Sequence, residues 1–165
     1  MEAVCSDSGR LLRQQVRRHR LRYVAVINHL YLYLYLYLNR KIVRRMLESS
    51  ANRAVLGDCT TILEADDGTT ALEVLRSESA AGRVVDFVLL DYVMVRMNGP
   101  EAARRMRAEL GYRGVVIGIT GNALPEDLAA FRDHGATVVL TKPLTNAKLM
   151  DAIYQSSLDR TVHMV

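Results

Sequence analysis

The feature that most constrains this chain is the stretch Val84 to Gly99. Phe87, Val88, Leu89 and Leu90 form an unbroken apolar run that stops at the carboxylate of Asp91. A run apolar on both faces suits a strand buried in the middle of a parallel sheet, which must then be covered by helices on both sides. Asp91 falls at the carboxyl end of that strand, where open α/β sheets place their ligand sites. Taken alone, a carboxylate there is as readily a turn or cap residue as a reactive group.

The rest of the chain alternates strand and helix patterns in the way such a sheet needs. Tyr23 to Ile27 is β-rich and apolar. From Asn39, the residues Ile42, Val43, Met46 and Leu47 recur at helical spacing, with Arg40, Lys41, Arg44, Arg45 and Glu48 opposite them. Gly57-Asp58 makes a turn, Cys59 to Ala65 reads as a strand, and Asp66-Asp67-Gly68 leads into a helix through Ala71, Leu72 and Leu75. Asp66 and Asp67 have the chemistry of metal ligands. Pro100 opens a helix that closes at Gly111. Val115 to Ile119 forms a strand ending at Thr120, and Pro125-Glu126-Asp127 starts a helix that closes at Gly135. Thr137 to Thr141 is a fifth strand, followed by Lys142-Pro143, and a last helix runs from Asn146 to about Leu158.

Two stretches fall outside this pattern. The first is Met1 to Arg22, whose six arginines stand against only Glu2 and Asp7; that excess is the whole net charge of +4, so the remainder is balanced. Such a leader suits a nucleic-acid-binding arm, a targeting segment or a solvated linker; without aromatic interleaving or an apolar stripe it reads best as a linker. The second is Leu30 to Leu38, where leucine and tyrosine strictly alternate. Period two would place all the leucines on one face of a strand, whereas a helix here has no polar face. The apolar run from Val24 to Leu38 is shorter than the roughly 20 residues of a membrane span and is broken by Asn28-His29. That leaves an edge strand or a low-complexity insertion into the first loop, and the insertion, real or a misread stretch of gene, is the favoured reading. Cys5 and Cys59 suggest neither a disulfide scaffold nor a metal knuckle, so a cytoplasmic setting is expected.

Asp91 with Met94, Met97, Asn98 and Gly99 resembles the phosphoacceptor segment of the response-regulator receiver domain, where Asp is followed by a Met-Pro-x-Met-Asp/Asn-Gly pattern. Gly118 to Ala123 is similar to that family's fourth strand with its terminal hydroxyl residue, and Leu140 to Leu144 to its fifth strand with its Lys-Pro. The resemblance fits from about Asn39 to Ile153, and it implies that Asp66 and Asp67 lie in a turn after the second strand.

It implies a flavodoxin-like (βα)5 fold, a central parallel five-stranded sheet in the order 2-1-3-4-5 with helices on both faces. The receiver would occupy 22–158 after a leader at 1–21, carry the insertion at 30–38, and leave a tail at 159–165. Asp91 would accept a phosphoryl group from a histidine kinase or histidine phosphotransfer protein, with Thr120 and Lys142 contacting the phosphoryl oxygens. Mg²⁺ would be held by Asp91 and the backbone carbonyl of Val93. The family's acidic pair after the first strand has no counterpart: the matching positions read Asn28-His29, and no carboxylate lies between Asp7 and Glu48. With Asn28 a weak ligand and His29 a poor one for so hard an ion, Mg²⁺ binding is expected to be weak or lost. Val139 stands where the family carries its switch aromatic. The output face would span 125–158, with neither nucleic acid nor membrane as a partner. The chain is thus expected to be a phosphoacceptor that assists its own phosphorylation rather than an enzyme, and a candidate fragment of a hybrid histidine kinase. The alternative is a degenerate receiver that binds partners without phosphorylation.

Overall fold

A computed structural model of the chain describes residues 22–26, 33–56 and 61–162. The leader at 1–21, Asn28-His29, Gly57-Asp58, Cys59 and the last residues of the expected tail lie outside the described residues.

Five parallel strands, β1 (Arg22–Val26), β2 (Thr61–Ala65), β3 (Phe87–Asp91), β4 (Val115–Thr120) and β5 (Val138–Thr141), form one sheet in the order β2-β1-β3-β4-β5. This is the order that the resemblance implied. The connecting helices are α1 (Tyr33–Glu48), α2 (Ser50–Leu56), α3 (Gly68–Ala80), α4 (Gly99–Leu110), α5 (Pro125–Asp133) and α6 (Asn146–Val162). The period of two in β3 divides its side chains between two cores. Val88 and Leu90 join Ala71, Leu72, Ala102, Ala103 and Met106 of α3 and α4 on one face. Phe87 and Leu89 join Val43 and Leu47 of α1 and Leu149 and Ile153 of α6 on the other. Every residue of β3 and β4 is buried, as a strand covered on both faces requires.

Local chemistry sets the helix ends. Asp67 caps α3 by accepting from the N–H groups of Thr69 and Thr70 at 2.9 and 3.0 Å, and the Thr70 hydroxyl returns a bond to the cap backbone. Asn98 caps α4 by accepting from the Glu101 N–H at 2.9 Å, and Gly111 ends that helix in the left-handed region with φ 58°. The turn reading of Asp67 thus holds, and Oδ1 of its carboxylate is committed to backbone groups.

Two expectations are corrected. Residues 33–38 of the Leu-Tyr repeat form neither an edge strand nor a loop; their backbone makes the first turns of α1, and Leu30 to Leu32 lie outside the described residues. A helix satisfies its own backbone groups, whereas β1 already has β2 and β3 on its two edges and offers a further strand nothing to pair with. Extending the amphipathic helix that follows costs little once it is nucleated. At the other end, α6 runs on to Val162, so the residues after Leu158 begin as helix rather than as tail.

Candidate functional site

The carboxyl ends of β3, β4 and β5 bring three predicted residues to one edge of the sheet. Asp91 is the last residue of β3 and pairs in register with Ile119, one residue before Thr120; Thr120 in turn pairs with Thr141, one residue before Lys142. The ladder continues past the strands, with the Tyr92 N–H donating to the Ile119 carbonyl and the Lys142 N–H to the Thr120 carbonyl, both at 2.8 Å. Backbone bonds therefore fix the relative positions of the three residues.

Asp91 is buried, with 3% of its surface exposed. The Lys142 ammonium donates to its Oδ2 at 2.8 Å. Burial pushes the Asp91 carboxyl above the usual carboxylate range, and this outweighs the opposing pull of the Lys142 ammonium and of the Tyr92 and Val93 N–H groups. Thr120 is also buried, and its hydroxyl is held within the following turn, donating to the Asn122 carbonyl and accepting from the Asn122 N–H, each at 3.1 Å. Lys142 precedes a cis peptide bond to Pro143.

The backbone at Asp91 is closely packed. A Cβ on Gly99 would lie 2.3 Å from the Asp91 carbonyl oxygen and 2.4 Å from the ring of Phe131, so glycine is required there. The same ring covers Gly118 of β4 and meets Tyr92 edge-on, with centroids 5.4 Å apart. Tyr92 also faces Asp127 of α5; burial and then that carboxylate push its phenol upward. Val139 lies half-buried on β5 against the α3–α4 core.

Among the described residues, no three His, Cys, Asp or Glu side chains cluster as a metal cage. What the loop after β3 supplies for an ion such as Mg²⁺ is one carboxylate, Asp91, with the Val93 backbone beside it. Mg²⁺ is commonly held by one or two carboxylates together with waters and phosphate oxygens, so this set fits as a minimal site. Asn28, the remaining predicted ligand, lies outside the described residues. No helix among the described residues is long and apolar enough to cross a membrane.

The response regulator receiver domain model matches residues 37–154, which is most of the chain. The chain belongs to the response regulator receiver family. It is 32% identical over 112 residues to the two-component response regulator ORR41 of rice, covering 68% of this chain and 80% of that protein. It is 33% identical over 119 residues to the sensor histidine kinase RcsC of Salmonella typhi, covering 72% of this chain but 11% of the kinase. The receiver domain of NarL from Mycobacterium tuberculosis superposes with a TM-score of 0.65 at 26% identity, over 83% of this chain and 95% of that one. The chemotaxis protein CheY4 of Vibrio cholerae shares the fold, with a TM-score of 0.66 at 20% identity, over 84% of this chain and 99% of that one. Receivers work in two-component signalling with histidine kinases or phosphotransfer proteins, and they generally bind Mg²⁺.

One residue of this site went unread in the sequence. Arg96, in the loop after Asp91, donates from its Nε to Oδ2 of Asp67. Burial alone would raise the Asp67 carboxyl, but the Arg96 guanidinium and the capping N–H groups hold it below the usual range. The sequence carries no local signal for a pair 29 residues apart.

Proposed function

We propose that Asp91 is a phosphoacceptor, taking a phosphoryl group from a phosphohistidine on a kinase or phosphotransfer protein. The observation that carries this reading is the 2.8 Å contact between Lys142 and the buried Asp91 carboxylate, made from the ends of two different strands. In the reaction a carboxylate oxygen of Asp91 attacks phosphorus, an O–P bond forms, and the N–P bond of the donor breaks with its electron pair returning to the imidazole. Charge in the transition state is spread over the equatorial phosphoryl oxygens, so positioning and cationic stabilisation dominate. Lys142 supplies a flexible point charge to those oxygens. Thr120 can exchange its bond to the Asn122 carbonyl for one to a phosphoryl oxygen, which would move the β4–α5 loop. With Val139 in place of an aromatic, no ring flip accompanies that movement.

Mg²⁺, when bound through Asp91 and the Val93 carbonyl, would neutralise phosphoryl charge; with no acidic pair in the sequence before Glu48, we propose that it binds weakly. The chain acts as a cytoplasmic signalling domain with its output partner on the 125–158 face, assisting its own phosphorylation without being an enzyme. The missing acidic pair also favours a second reading, a receiver that binds partners without phosphorylation.

Borohydride reduction separates the two. After incubation with acetyl phosphate and Mg²⁺, an aspartyl phosphate is reduced to homoserine. The phosphoacceptor reading expects homoserine at residue 91 in the peptide map. Unmodified Asp91 in a folded, donor-treated sample would favour the partner-binding reading.

A further inference from the structure

Two consecutive residues of the acceptor loop meet two consecutive residues at the start of α3. Arg96 pairs with Asp67, the cap of that helix, and Met97 lies on Gly68, where a Cβ would come within 3.0 Å of the Met97 sulfur. Oδ1 of Asp67 is occupied by the Thr69 and Thr70 N–H groups, and Oδ2 accepts from Arg96. Exposed ion pairs contribute little, and the Arg96 side chain is 58% exposed, but that of Asp67 is only 4% exposed. Removing the guanidinium would leave a carboxylate oxygen buried without its charged partner, which is the costly case.

The loop has need of such an anchor. Its ends are fixed by the Tyr92 N–H on Ile119 and the Gly99 N–H on the Tyr92 carbonyl at 2.9 Å. Between them Met94 is buried, whereas Val93 and Val95 are 70% and 56% exposed. Val95 also occupies the position at which the receiver pattern has proline, so the ring that would fix φ there is missing.

We propose that Arg96 is a positioning residue for phosphoryl acceptance: its ion pair with Asp67 latches the 92–98 loop onto the cap of α3 and fixes the Val93 backbone beside Asp91. The consequence for phosphorylation rests on the phosphoacceptor reading, whereas the latch itself does not. The test compares wild type, Arg96→Ala and Arg96→Lys in the full chain. Amide exchange of residues 92–98, without a phosphodonor, should be about tenfold faster in the alanine variant and unchanged in β3 and β4, with lysine restoring most of the protection. Acetyl phosphate labelling of the alanine variant should need about fivefold more Mg²⁺ for half-maximal rate, again largely restored by lysine. Unchanged loop exchange in Arg96→Ala would overturn the latch. Faster exchange with an unaltered Mg²⁺ requirement would overturn the positioning role. If wild type takes up no phosphoryl group, the phosphoacceptor reading fails, and loop exchange alone decides the latch.

Discussion

Asp67 and Asp91 stand in similar places and behave in opposite ways. Asp91 ends β3 and Asp67 lies two residues past β2, both at the carboxyl edge of the sheet, and each is only 3% exposed. Asp67 is held below the usual carboxylate range, because two capping N–H groups and the Arg96 guanidinium outweigh its burial. Asp91 is pushed above that range, because burial outweighs one ammonium and two N–H groups. A buried carboxylate whose lone pairs are committed is a structural part. One that keeps a desolvation cost in the resting state can gain from a reaction that removes its charge. Each has one cation and two N–H groups as partners, so the heavier desolvation of Asp91, and its ammonium in place of a guanidinium, separate the two roles.

The comparison can be broken at the glycines beside each carboxylate, where the largest effect is expected. A methyl group at Gly99 meets the Asp91 carbonyl and the buried Phe131 ring, neither of which can yield, whereas at Gly68 it meets Ala102 at 2.8 Å and the flexible end of Met97. Urea unfolding should show Gly99→Ala losing about 3 kcal/mol and Gly68→Ala about 1 kcal/mol. Equal losses would mean that the backbone at Asp91 is no more confined than that at Asp67.

Next in size is Asp67→Ala, which removes the cap and leaves Arg96 without its partner; about 2 kcal/mol should be lost near neutral pH. With its carboxyl depressed in the folded state, Asp67 contributes stability above the ordinary carboxylate range, and that contribution is lost as pH falls through its folded value. The wild-type advantage over Asp67→Ala should therefore shrink on acidification.

Asp91→Asn should act in the other direction and more weakly. With its carboxyl raised in the folded state, Asp91 contributes stability below the ordinary range and loses it as pH rises through its folded value. The variant should be more stable than wild type by about 1 kcal/mol near neutral pH, with the gain fading toward about pH 4. A gain independent of pH would show that the burial of Asp91 carries no electrostatic cost.

Much of this arrangement was legible in the sequence, for identifiable reasons. β3 and β4 were readable because a strand covered on both faces must be apolar throughout, and Asp91 and Thr120 were readable because polarity returns abruptly where each strand ends. Asp67 was legible as a turn residue through the family resemblance, which sets Asp66 and Asp67 after the second strand. The Leu-Tyr repeat, read as an insertion into the first loop, offered no sign of the helix at 33–38 because its strict period of two lacks the 3.6-residue periodicity by which an amphipathic helix is recognised. The Arg96–Asp67 pair was hidden because an arginine in an exposed loop is ordinarily solvated, and only the folded sheet brings β2 and β3 ends together. The ring of Phe131 over Gly118 and Gly99 was hidden for the same reason.

The most direct test of the account is intact-protein mass after incubation with acetyl phosphate, with and without Mg²⁺, beside Asp91→Asn. Wild type should gain one phosphoryl group in a Mg²⁺-dependent way, and Asp91→Asn should gain none. No gain in a folded wild-type sample, or an equal gain in Asp91→Asn, would contradict the account.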